Sequence, residues 1–202
     1  LVADNVSESA LEVLRAEASW EVVFLPKKPG ASVTEEIKDA DALIVRSATK
    51  ANAELLGQAG RLRVIGRAGV GVDNVDLLAA TRKGIVVMNT PGGNAVSVAE
   101  HSLALMLALA RRIAPANSSM KAGKWEKKKL TGNELRSKTL GLIGFGMIGR
   151  ELARRAKAFE MKIITYDPYV SSQLAQEQEV KLVTLPELLK VSDYLSLHAK
   201  SN

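Results

Sequence analysis

The residues with the clearest chemical potential are the three glycines of Gly144-Phe-Gly146-Met-Ile-Gly149. They leave a predicted strand, Thr139–Ile143, and open a predicted helix, Ile148–Phe159. In that context Gly144 permits a tight turn, Gly146 lets the backbone approach a pyrophosphate, and Gly149 lets helix and strand pack closely. The alternative is a purely structural glycine turn. The context favours a dinucleotide-binding turn.

Two backbone amides and one acidic residue predict which dinucleotide binds there. The N–H groups of Met147 and Ile148 are expected to point at the phosphates from the positive end of the helix dipole. Asp167 stands 18 residues after the last glycine, at the end of the next predicted strand. A carboxylate there accepts hydrogen bonds from ribose hydroxyls and repels a 2′-phosphate. Because no Arg or Lys follows within residues 168–173, we predict NAD as the cofactor.

Two arginines in the first half of the chain follow predicted strands. Arg46, with Ser47 beside it, and Arg67 each stand where a strand ends, and Gly69 and Gly71 follow Arg67 closely. Glycines at such a place expose successive backbone amides that suit a carboxylate or a phosphate. Ligands of open α/β sheets bind beyond the carboxyl ends of the strands, so both arginines are expected to converge on one anion. The alternative is that each forms a surface ion pair.

The composition excludes several other kinds of chemistry. The 202 residues include no cysteine and only two histidines, His101 and His198. We therefore expect no disulfide, no thiol nucleophile and no metal site. A hydrophobic content of 47% with 25% charged residues is typical of a globular protein. No apolar run is long enough to span a bilayer, and no secretory leader is recognisable, so we expect a cytoplasmic protein without membrane contact. The net charge of +6 favours an anionic partner.

Alternating strands and helices are the elements that must position these residues. The predicted strands of the first ninety residues are Leu1–Ala3, Glu21–Leu25, Ala42–Val45, Arg63–Gly66 and Ile85–Met88. After the glycine turn, strands Lys162–Tyr166, Lys181–Thr184 and Tyr194–Leu197 alternate with further helices. Such alternation implies parallel sheets covered on both faces. We predict an α/β fold with two doubly wound domains, over residues 1–92 and 93–202, the second of them incomplete.

A long apolar helix and a basic arm lie in the sequence between the two runs of alternating strands and helices. The helix is predicted over residues 97–112 and is apolar on most of its surface, so a neighbouring domain or subunit is expected to bury it. The following segment, residues 115–138, is predicted to be irregular, and it is rich in Lys and Arg around Trp125. Such a charged arm is typically a solvated face or an intersubunit contact.

Several of these motifs together resemble one known family. Arg67-Ala-Gly-Val-Gly-Val-Asp-Asn-Val-Asp, Met88-Asn-Thr-Pro-Gly-Gly-Asn, Gly123-Lys-Trp and the glycine turn ending in Tyr166-Asp-Pro resemble the D-isomer-specific 2-hydroxyacid dehydrogenases. The resemblance extends over essentially the whole chain, with the motifs in order. It implies a flavodoxin-like substrate domain at 1–92, a Rossmann domain for NAD at 93–202, and a dimerisation helix and arm within 95–137.

The resemblance also implies roles for individual residues. Positions that hold the substrate's phosphate and carboxylate are matched by Arg46, Ser47, Arg67, Gly69, Val70, Gly71 and Asn94. Positions that contact the cofactor are matched by Val70, Gly144, Gly146, Met147, Ile148, Gly149, Asp167, His198 and Ala199. We interpret His198 as a wall beside the cofactor and not as the proton shuttle. The family usually has His-x-Pro here, whereas this chain has Lys200 at the third position.

The implied activity is NAD-linked oxidation of D-3-phosphoglycerate to 3-phosphohydroxypyruvate, the first step of phosphorylated L-serine biosynthesis, by a homo-oligomer. Such oxidation needs a general acid/base and a cation to polarise the carbonyl. The family takes these from a histidine, a glutamate and an arginine further along the chain than Asn202. We therefore assign no catalytic residue here, and expect these 202 residues to be an inactive part of a longer polypeptide.

Other functions remain as alternatives at this point. One alternative is another D-2-hydroxyacid dehydrogenase, with glyoxylate, hydroxypyruvate or D-lactate as its substrate. A second is a binding protein and not an enzyme: an NAD(H)-sensing protein similar to a corepressor, whose basic arm would contact nucleic acid or protein. A third alternative is an isolated NAD-binding fragment without turnover.

Overall fold

Strands and helices alternate through both units of the chain, Leu1–Gly93 and Asn94–Asn202, in the computed structural model, which describes residues 1–199. The first unit contains strands β1 (Ala42–Val45), β2 (Val64–Arg67) and β3 (Val86–Asn89) and helices α1 (Glu8–Arg15), α2 (Val33–Glu36), α3 (Ala53–Gln58) and α4 (Leu77–Arg82). Short 3-10 turns occur at Leu25–Lys27 and Ile37–Asp39.

The sheet of the first unit is parallel, in the order β1-β2-β3. Val2 adds single parallel bridges to Ile44 on one side and to Phe24 on the other. The predicted strands Leu1–Ala3 and Glu21–Leu25 are therefore wrong in extent, since only one residue of each, Val2 and Phe24, forms a bridge and neither segment forms a ladder. Asp4, the residue after the first of these segments, is already hydrogen-bonded through its side chain to the loop after β1. Counting those bridges, the strand order is 2-1-3-4-5, that of a flavodoxin-like fold.

Helix caps and an apolar core hold the first unit together. Side chains of Ser7, Asn52 and Asp76 accept hydrogen bonds from the first turns of α1, α3 and α4, which satisfies N–H groups that have no partner within a helix. Fully buried residues at the centre include Ile37, Leu43, Val45, Leu56, Ile65 and Ala80. They come from alternating positions of the strands and one face of the helices, as a sheet covered by helices requires.

The second unit contains strands β4 (Thr139–Ile143), β5 (Lys162–Tyr166), β6 (Lys181–Leu182) and β7 (Tyr194–Leu197) and helices α5 (Ala95–Ala110), α6 (Ile113–Lys121), α7 (Met147–Ala158), α8 (Ser172–Glu177) and α9 (Leu185–Val191), with a 3-10 turn at Lys127–Leu130. Its strands are parallel, in the order β6-β5-β4-β7. That is the 3-2-1-4 order of a Rossmann fold, in which the direction of winding reverses between β4 and β7. The predicted class, α/β with parallel sheets, is confirmed.

Helix α7 packs one face into the core of the second unit. Gly149, Leu152, Ala153 and Ala156 are its buried residues, at the spacing of one helical face. Arg155, on the same helix, is ion-paired with Glu151 one turn earlier and with Glu100 on α5, at 3.4 Å. The helix that begins at the glycine turn is thus fixed against both the sheet and α5.

The chain segment that joins β3 to β4 contains more helix than the sequence predicted. Helix α5 ends at Ala110, two residues before the predicted end, and the predicted irregular segment begins instead with helix α6. Arg112 separates them with a left-handed φ of 52°, which breaks the helix without a glycine. Pro115 is the third residue of α6, and proline is tolerated within the first turn of a helix.

Over residues 1–199, no helix is both long enough and apolar enough to cross a membrane. The same residues contain no group of three or more His, Cys, Asp or Glu side chains placed to hold a metal ion.

Candidate functional site

The glycine turn of the second unit joins β4 to α7. Gly144 has a φ of +93°, a left-handed conformation that glycine adopts without steric cost. A Cβ on Gly149 would lie 2.5 Å from the carbonyl oxygen of Gly144, so the helix packs directly onto the turn. A Cβ on Gly146 would meet no described atom within 4 Å. The turn therefore has the close packing and the open space that a pyrophosphate-binding turn requires.

Gly146 is also the N-cap residue of α7, and no side chain caps this helix. The first N–H groups of a helix have no carbonyl partner inside it. Those of Met147 and Ile148 are therefore directed out of the helix, beside the open space at Gly146. This arrangement places two donors and the positive end of the helix dipole where an anion would lie.

Asp167 follows β5 and contacts the glycine turn directly. Its Oδ2 accepts a hydrogen bond from the backbone N–H of Phe145 at 2.8 Å, and its Oδ1 accepts one from Tyr169 N at 2.8 Å. Each carboxylate oxygen has a second lone pair. The residue expected to bind ribose thus lies beside the turn expected to bind pyrophosphate, and it orders that turn as well.

His198 and Ala199 lie on the other side of the same turn. His198 N donates to Ile143 O at 2.8 Å, and a Cβ on Gly144 would lie 2.8 Å from the His198 carbonyl and 2.9 Å from Ala199 N. Nε2 of His198 is 2.8 Å from Ser196 Oγ. Burial lowers the pKa of His198 below its ordinary value, so the ring is neutral at pH 7. Lys200, which departs from the family pattern, lies outside the described residues.

In the first unit, Arg46 and Arg67 lie at the carboxyl ends of neighbouring strands. Val45, which precedes Arg46, pairs with Arg67 in the sheet. Arg46 Nη1 donates to the carbonyl of Asn5 at 3.1 Å, and Ser47 beside it is exposed. The recorded partner of the Arg46 guanidinium is a carbonyl and not a carboxylate, which leaves its positive charge uncompensated by that contact.

The side chain of Arg67 lies across the glycine loop that follows it. A Cβ on Gly69 would overlap the Arg67 guanidinium. The Nε atom of Arg67 is buried without a hydrogen-bond partner among residues 1–199. An unpaired buried donor on a cation is costly, and a bound ion or a water molecule is one of the groups that can satisfy such a donor.

Asparagine and threonine at the end of β3 hold the same loop in place. Asn89 Nδ2 donates to the carbonyl of Val70 at 2.7 Å, and Thr90 N donates to that of Gly69 at 3.0 Å. Gly71, the other glycine of the loop, is partly buried. Sequence reasoning ended the predicted strand at Met88 and gave Asn89 no role. Its position at the end of a third parallel strand is the signal that identifies it.

Two further residues of the first unit were missed by sequence reasoning. Asp4 is buried, and its carboxylate accepts hydrogen bonds from the loop that carries Arg46. Asn74 donates to two carbonyls of the same loop, those of Arg46 and Thr49. Asp4 follows the predicted strand Leu1–Ala3, so strand-end placement was again the available signal.

The structure sorts the predicted site residues into two sets. Arg46, Ser47, Arg67, Gly69, Val70 and Gly71 surround the strand ends of the first unit, and Gly144, Gly146, Met147, Ile148, Gly149, Asp167, His198 and Ala199 surround one turn of the second. Asn94 belongs to the second unit, where it is the N-cap residue of α5 and its carbonyl accepts from Val98 N at 2.9 Å. The roles of all these residues in binding, including those of Asn94 toward the substrate and of Val70 toward the cofactor, stay predictions.

Residues 1–193 match the model of the D-isomer specific 2-hydroxyacid dehydrogenase, catalytic domain, family. The chain belongs to this family, as the sequence motifs indicated. The description of the family is that of dehydrogenases specific for the D-isomers of 2-hydroxy acids.

Two of the relatives of this chain are named D-3-phosphoglycerate dehydrogenase, and one solved structure with a similar fold is a D-lactate dehydrogenase. The chain is 49% identical over 201 residues to D-3-phosphoglycerate dehydrogenase from Archaeoglobus fulgidus, covering 98% of this chain and 37% of the relative. It is 48% identical over 199 residues to the enzyme of that name from Methanocaldococcus jannaschii, covering 98% and 38%. Its fold superposes on D-lactate dehydrogenase from Aquifex aeolicus, complexed with NAD and lactic acid, with a TM-score of 0.83 and 32% identity, covering 98% of this chain and 60% of that one. The chain thus spans little more than a third of the length of the phosphoglycerate dehydrogenases that it matches.

Proposed function

We propose that the protein carrying this chain oxidises D-3-phosphoglycerate to 3-phosphohydroxypyruvate with NAD, the first step of phosphorylated L-serine biosynthesis. The observation that carries the proposal is the pair Arg46 and Arg67 at adjacent strand ends, one of them with a buried, unpaired donor. The names of the phosphoglycerate dehydrogenase relatives support this substrate. A cysteine-free composition suits a reducing compartment, and we place the reaction in the cytoplasm.

The substrate carries two anionic groups, a phosphate and a carboxylate, and the first unit offers donors for both. Arg46 and Ser47 would bind one of them, and Arg67 with the amides around Gly69 and Gly71 would bind the other. Arginine suits this role because its planar, permanently charged fork donates two parallel hydrogen bonds to an oxyanion. Asn94 would supply a further polar contact to the substrate.

NAD would bind at the glycine turn of the second unit. The open space at Gly146 and the helix N-terminus at Met147 and Ile148 fit a pyrophosphate, and Asp167 fits the hydroxyls of an adjacent ribose. Val70, His198 and Ala199 would line the cofactor. When bound, NAD would supply the acceptor for the hydride that leaves the carbon bearing the hydroxyl. We assign the accompanying proton transfer to no residue of this chain.

Comparing substrates with and without a phosphate tests the proposal in the full-length protein. We expect kcat/KM to fall at least tenfold when D-glycerate replaces D-3-phosphoglycerate, which corresponds to about 1.4 kcal/mol. Arg46→Ala and Arg67→Ala should reduce this preference. Arg63→Ala is the matched control, because Arg63 lies at the amino end of β2, four residues before Arg67. Equal turnover of both substrates would contradict the assignment.

D-lactate is the second candidate substrate, because the chain shares its fold with a D-lactate dehydrogenase solved with lactic acid. Lactate carries one anionic group, so it needs only one of the two arginines. A wild-type enzyme that prefers lactate, together with a large effect of one arginine variant and none of the other, would favour this candidate.

We further propose that the protein is a homo-oligomer assembled through α5, α6 and the segment that follows them. Large apolar side chains are exposed along this region, including Leu109 at 74% and Trp125 at 79%, together with Leu105, Ile113 and Met120. Contiguous exposed apolar side chains favour an interface. Light scattering should show a dimer or a tetramer, and Leu109→Glu should shift it toward the monomer. Leu78→Glu is the control, since Leu78 is equally exposed, at 75%, but lies on α4 of the first unit.

A further inference from the structure

The loop of residues 46–49, which joins β1 to the segment before α3, is held from one side by a buried carboxylate. Asp4 is only 7% exposed. Its Oδ2 accepts from Arg46 N at 2.6 Å, and its Oδ1 accepts from Thr49 N at 3.1 Å and from Thr49 Oγ1 at 2.6 Å. A buried charge is tolerated only when hydrogen bonds compensate it. Here the compensation comes entirely from the loop, so the carboxylate and the loop fix each other.

Asn74 holds the same loop from its carbonyl side. Its Nδ2 donates to Arg46 O at 2.6 Å and to Thr49 O at 2.7 Å. Because both partners are acceptors, the orientation of the amide is determined by the contacts. The two ends of the loop are thus fixed by two side chains, Asp4 on the N–H groups and Asn74 on the carbonyls.

This loop lies at the topological switch point of the first unit. Val2 bridges Phe24 on one side and Ile44 on the other, so the direction of winding reverses between Val2 and β1. Ligands of doubly wound sheets bind beyond the carboxyl ends of the strands that flank such a point. Asp4 and Arg46 are the residues that follow those two strand ends.

A carboxylate at the edge of an anion site would repel the anion if it faced it. The oxygens of Asp4 instead face the backbone N–H groups of the loop, while the Arg46 guanidinium is held by the Asn5 carbonyl at 3.1 Å. The Asp4 carboxylate therefore interacts with the N–H groups of the loop, and the Arg46 guanidinium, which contacts a carbonyl, stays available to an anionic ligand. Displacing a binding group by about 1 Å can cost as much as 100-fold in rate.

We propose that Asp4 and Asn74 are positioning residues of the anion site: without touching the anion, they hold the loop backbone so that Arg46 and Ser47 bind it. This inference deepens the proposed function and rests on it. It predicts that substitutions at Asp4 or Asn74 act through Arg46, so that their effects on anion binding are not independent of the arginine.

A double-mutant cycle on the full-length protein tests this coupling. The dissociation constant of 3-phosphoglycerate is measured for wild type, Asp4→Asn, Arg46→Ala and the double variant, with that of NADH as an internal check. We expect Asp4→Asn to weaken 3-phosphoglycerate binding at least tenfold and to leave NADH binding unchanged. Arg46→Ala should then add less than threefold in the Asp4→Asn background. Asn74→Ala should behave like Asp4→Asn in the same cycle.

Asp76→Ala is the matched control, because Asp76 Oδ1 accepts from Ala79 N at 2.9 Å and caps α4 in the same unit. Its loss should lower the melting temperature, and Arg46→Ala should keep its full effect in this background. Thr49→Val is the milder variant if Asp4→Asn does not fold, since it preserves shape and removes only the Oγ1 bond to Asp4. We expect it to weaken binding about threefold.

The two proposals fail in different ways. If wild type binds 3-phosphoglycerate no better than D-glycerate, the proposed substrate is wrong, and the same cycle is then run with inorganic phosphate as the probe. The positioning role is wrong in either of two cases in which wild type binds the probe. In the first, the effect of Asp4→Asn or Thr49→Val adds to that of Arg46→Ala. In the second, Asp4→Asn or Thr49→Val leaves the dissociation constant of the probe unchanged.

Discussion

Glycine has a different packing role in each of the two glycine-containing turns, the loop after Arg67 and the turn from Gly144 to Gly149. In the first unit, Gly69 makes room for a side chain, because the guanidinium of Arg67 lies where a Cβ would stand. In the second unit, Gly144 and Gly149 make room for backbone, since a Cβ on either would press on a carbonyl group within 3 Å. A flexible side chain can move aside, whereas a strand and a helix cannot move without disturbing the core.

Gly146 differs from all of these, because no described atom lies within 4 Å of a Cβ built on it. Its lack of a side chain therefore does nothing for the packing of the chain itself. Under the proposed function the pyrophosphate of NAD occupies this open space, so Gly146 is the position at which effects on binding and on folding are most easily separated.

The largest effect is expected for Gly149→Ala. The new methyl group would lie 2.5 Å from Gly144 O, between α7 and the turn, and forced overpacking typically costs about 1–3 kcal/mol. We expect a lower midpoint of urea unfolding and a loss of NADH binding of tenfold or more. Fluorescence titration with NADH and urea denaturation measure the two effects.

Gly146→Ala is the matched control for that variant. It should leave the unfolding midpoint within about 0.5 kcal/mol of wild type, as substitutions without steric conflict usually do, and yet weaken NADH at least tenfold. Unchanged NADH affinity of Gly146→Ala would contradict the assignment of the turn to a pyrophosphate.

The next effect concerns the charges at the two turns, which are opposite in sign. Arg67 lies on the first, whereas Asp167 accepts from Phe145 N on the second. If Asp167 excludes a 2′-phosphate, Asp167→Asn should lower the preference for NAD over NADP by about tenfold, or 1.4 kcal/mol. The ratio of kcat/KM for the two cofactors is the measurement. A Glu177→Gln variant, on the exposed end of α8, is the control and should keep the ratio.

A smaller effect is expected for Gly69→Ala. Because the methyl group displaces only the end of the Arg67 side chain, stability should change by less than about 0.5 kcal/mol. Binding of 3-phosphoglycerate should weaken about threefold to tenfold, and it should weaken no further when Arg67→Ala is added. A large loss of stability would show that this glycine serves the backbone, as in the second unit.

The sequence predicted the second turn better than the first. Its strand, helix and glycine spacing are contiguous, so the local pattern contains nearly all of the geometry, and strands β4, β5 and β7 have the predicted bounds. The first site is assembled from Asp4, Arg46, Arg67, Asn74 and Asn89, which lie far apart in the chain. Spacing alone identifies strand ends, but it does not show which strands are neighbours.

Two predictions of local structure were wrong for different reasons. Leu1–Ala3 and Glu21–Leu25 have the composition of strands, yet only Val2 and Phe24 of these segments form bridges, because tertiary contacts often override propensity in short segments. Helix α6 forms where an irregular segment was predicted, since Pro115 is its third residue and proline is tolerated within the first turn of a helix. Asp4 was overlooked because its partners, two backbone N–H groups and the Thr49 hydroxyl, lie more than forty residues away in the chain.

The smallest effect concerns acid, to which the two sites respond in different pH ranges. Burial lowers the pKa of His198 below 6.5, so its unfolded form binds the proton more readily, and stability falls as pH drops below about 6.5. For Asp4, burial acts to raise the pKa, but hydrogen bonds from Thr49, Arg46 and Ala48 outweigh it and hold the pKa below 3.8. The contribution of Asp4 to stability is therefore present above about pH 4 and is lost as pH falls through the folded-state pKa.

The pH dependence of the urea unfolding midpoint between pH 7 and pH 3 measures both effects. Compared with wild type, it should be flatter below pH 4 for Asp4→Asn and flatter between pH 7 and pH 5 for His198→Gln. The opposite pairing of variant and pH range would contradict both assignments.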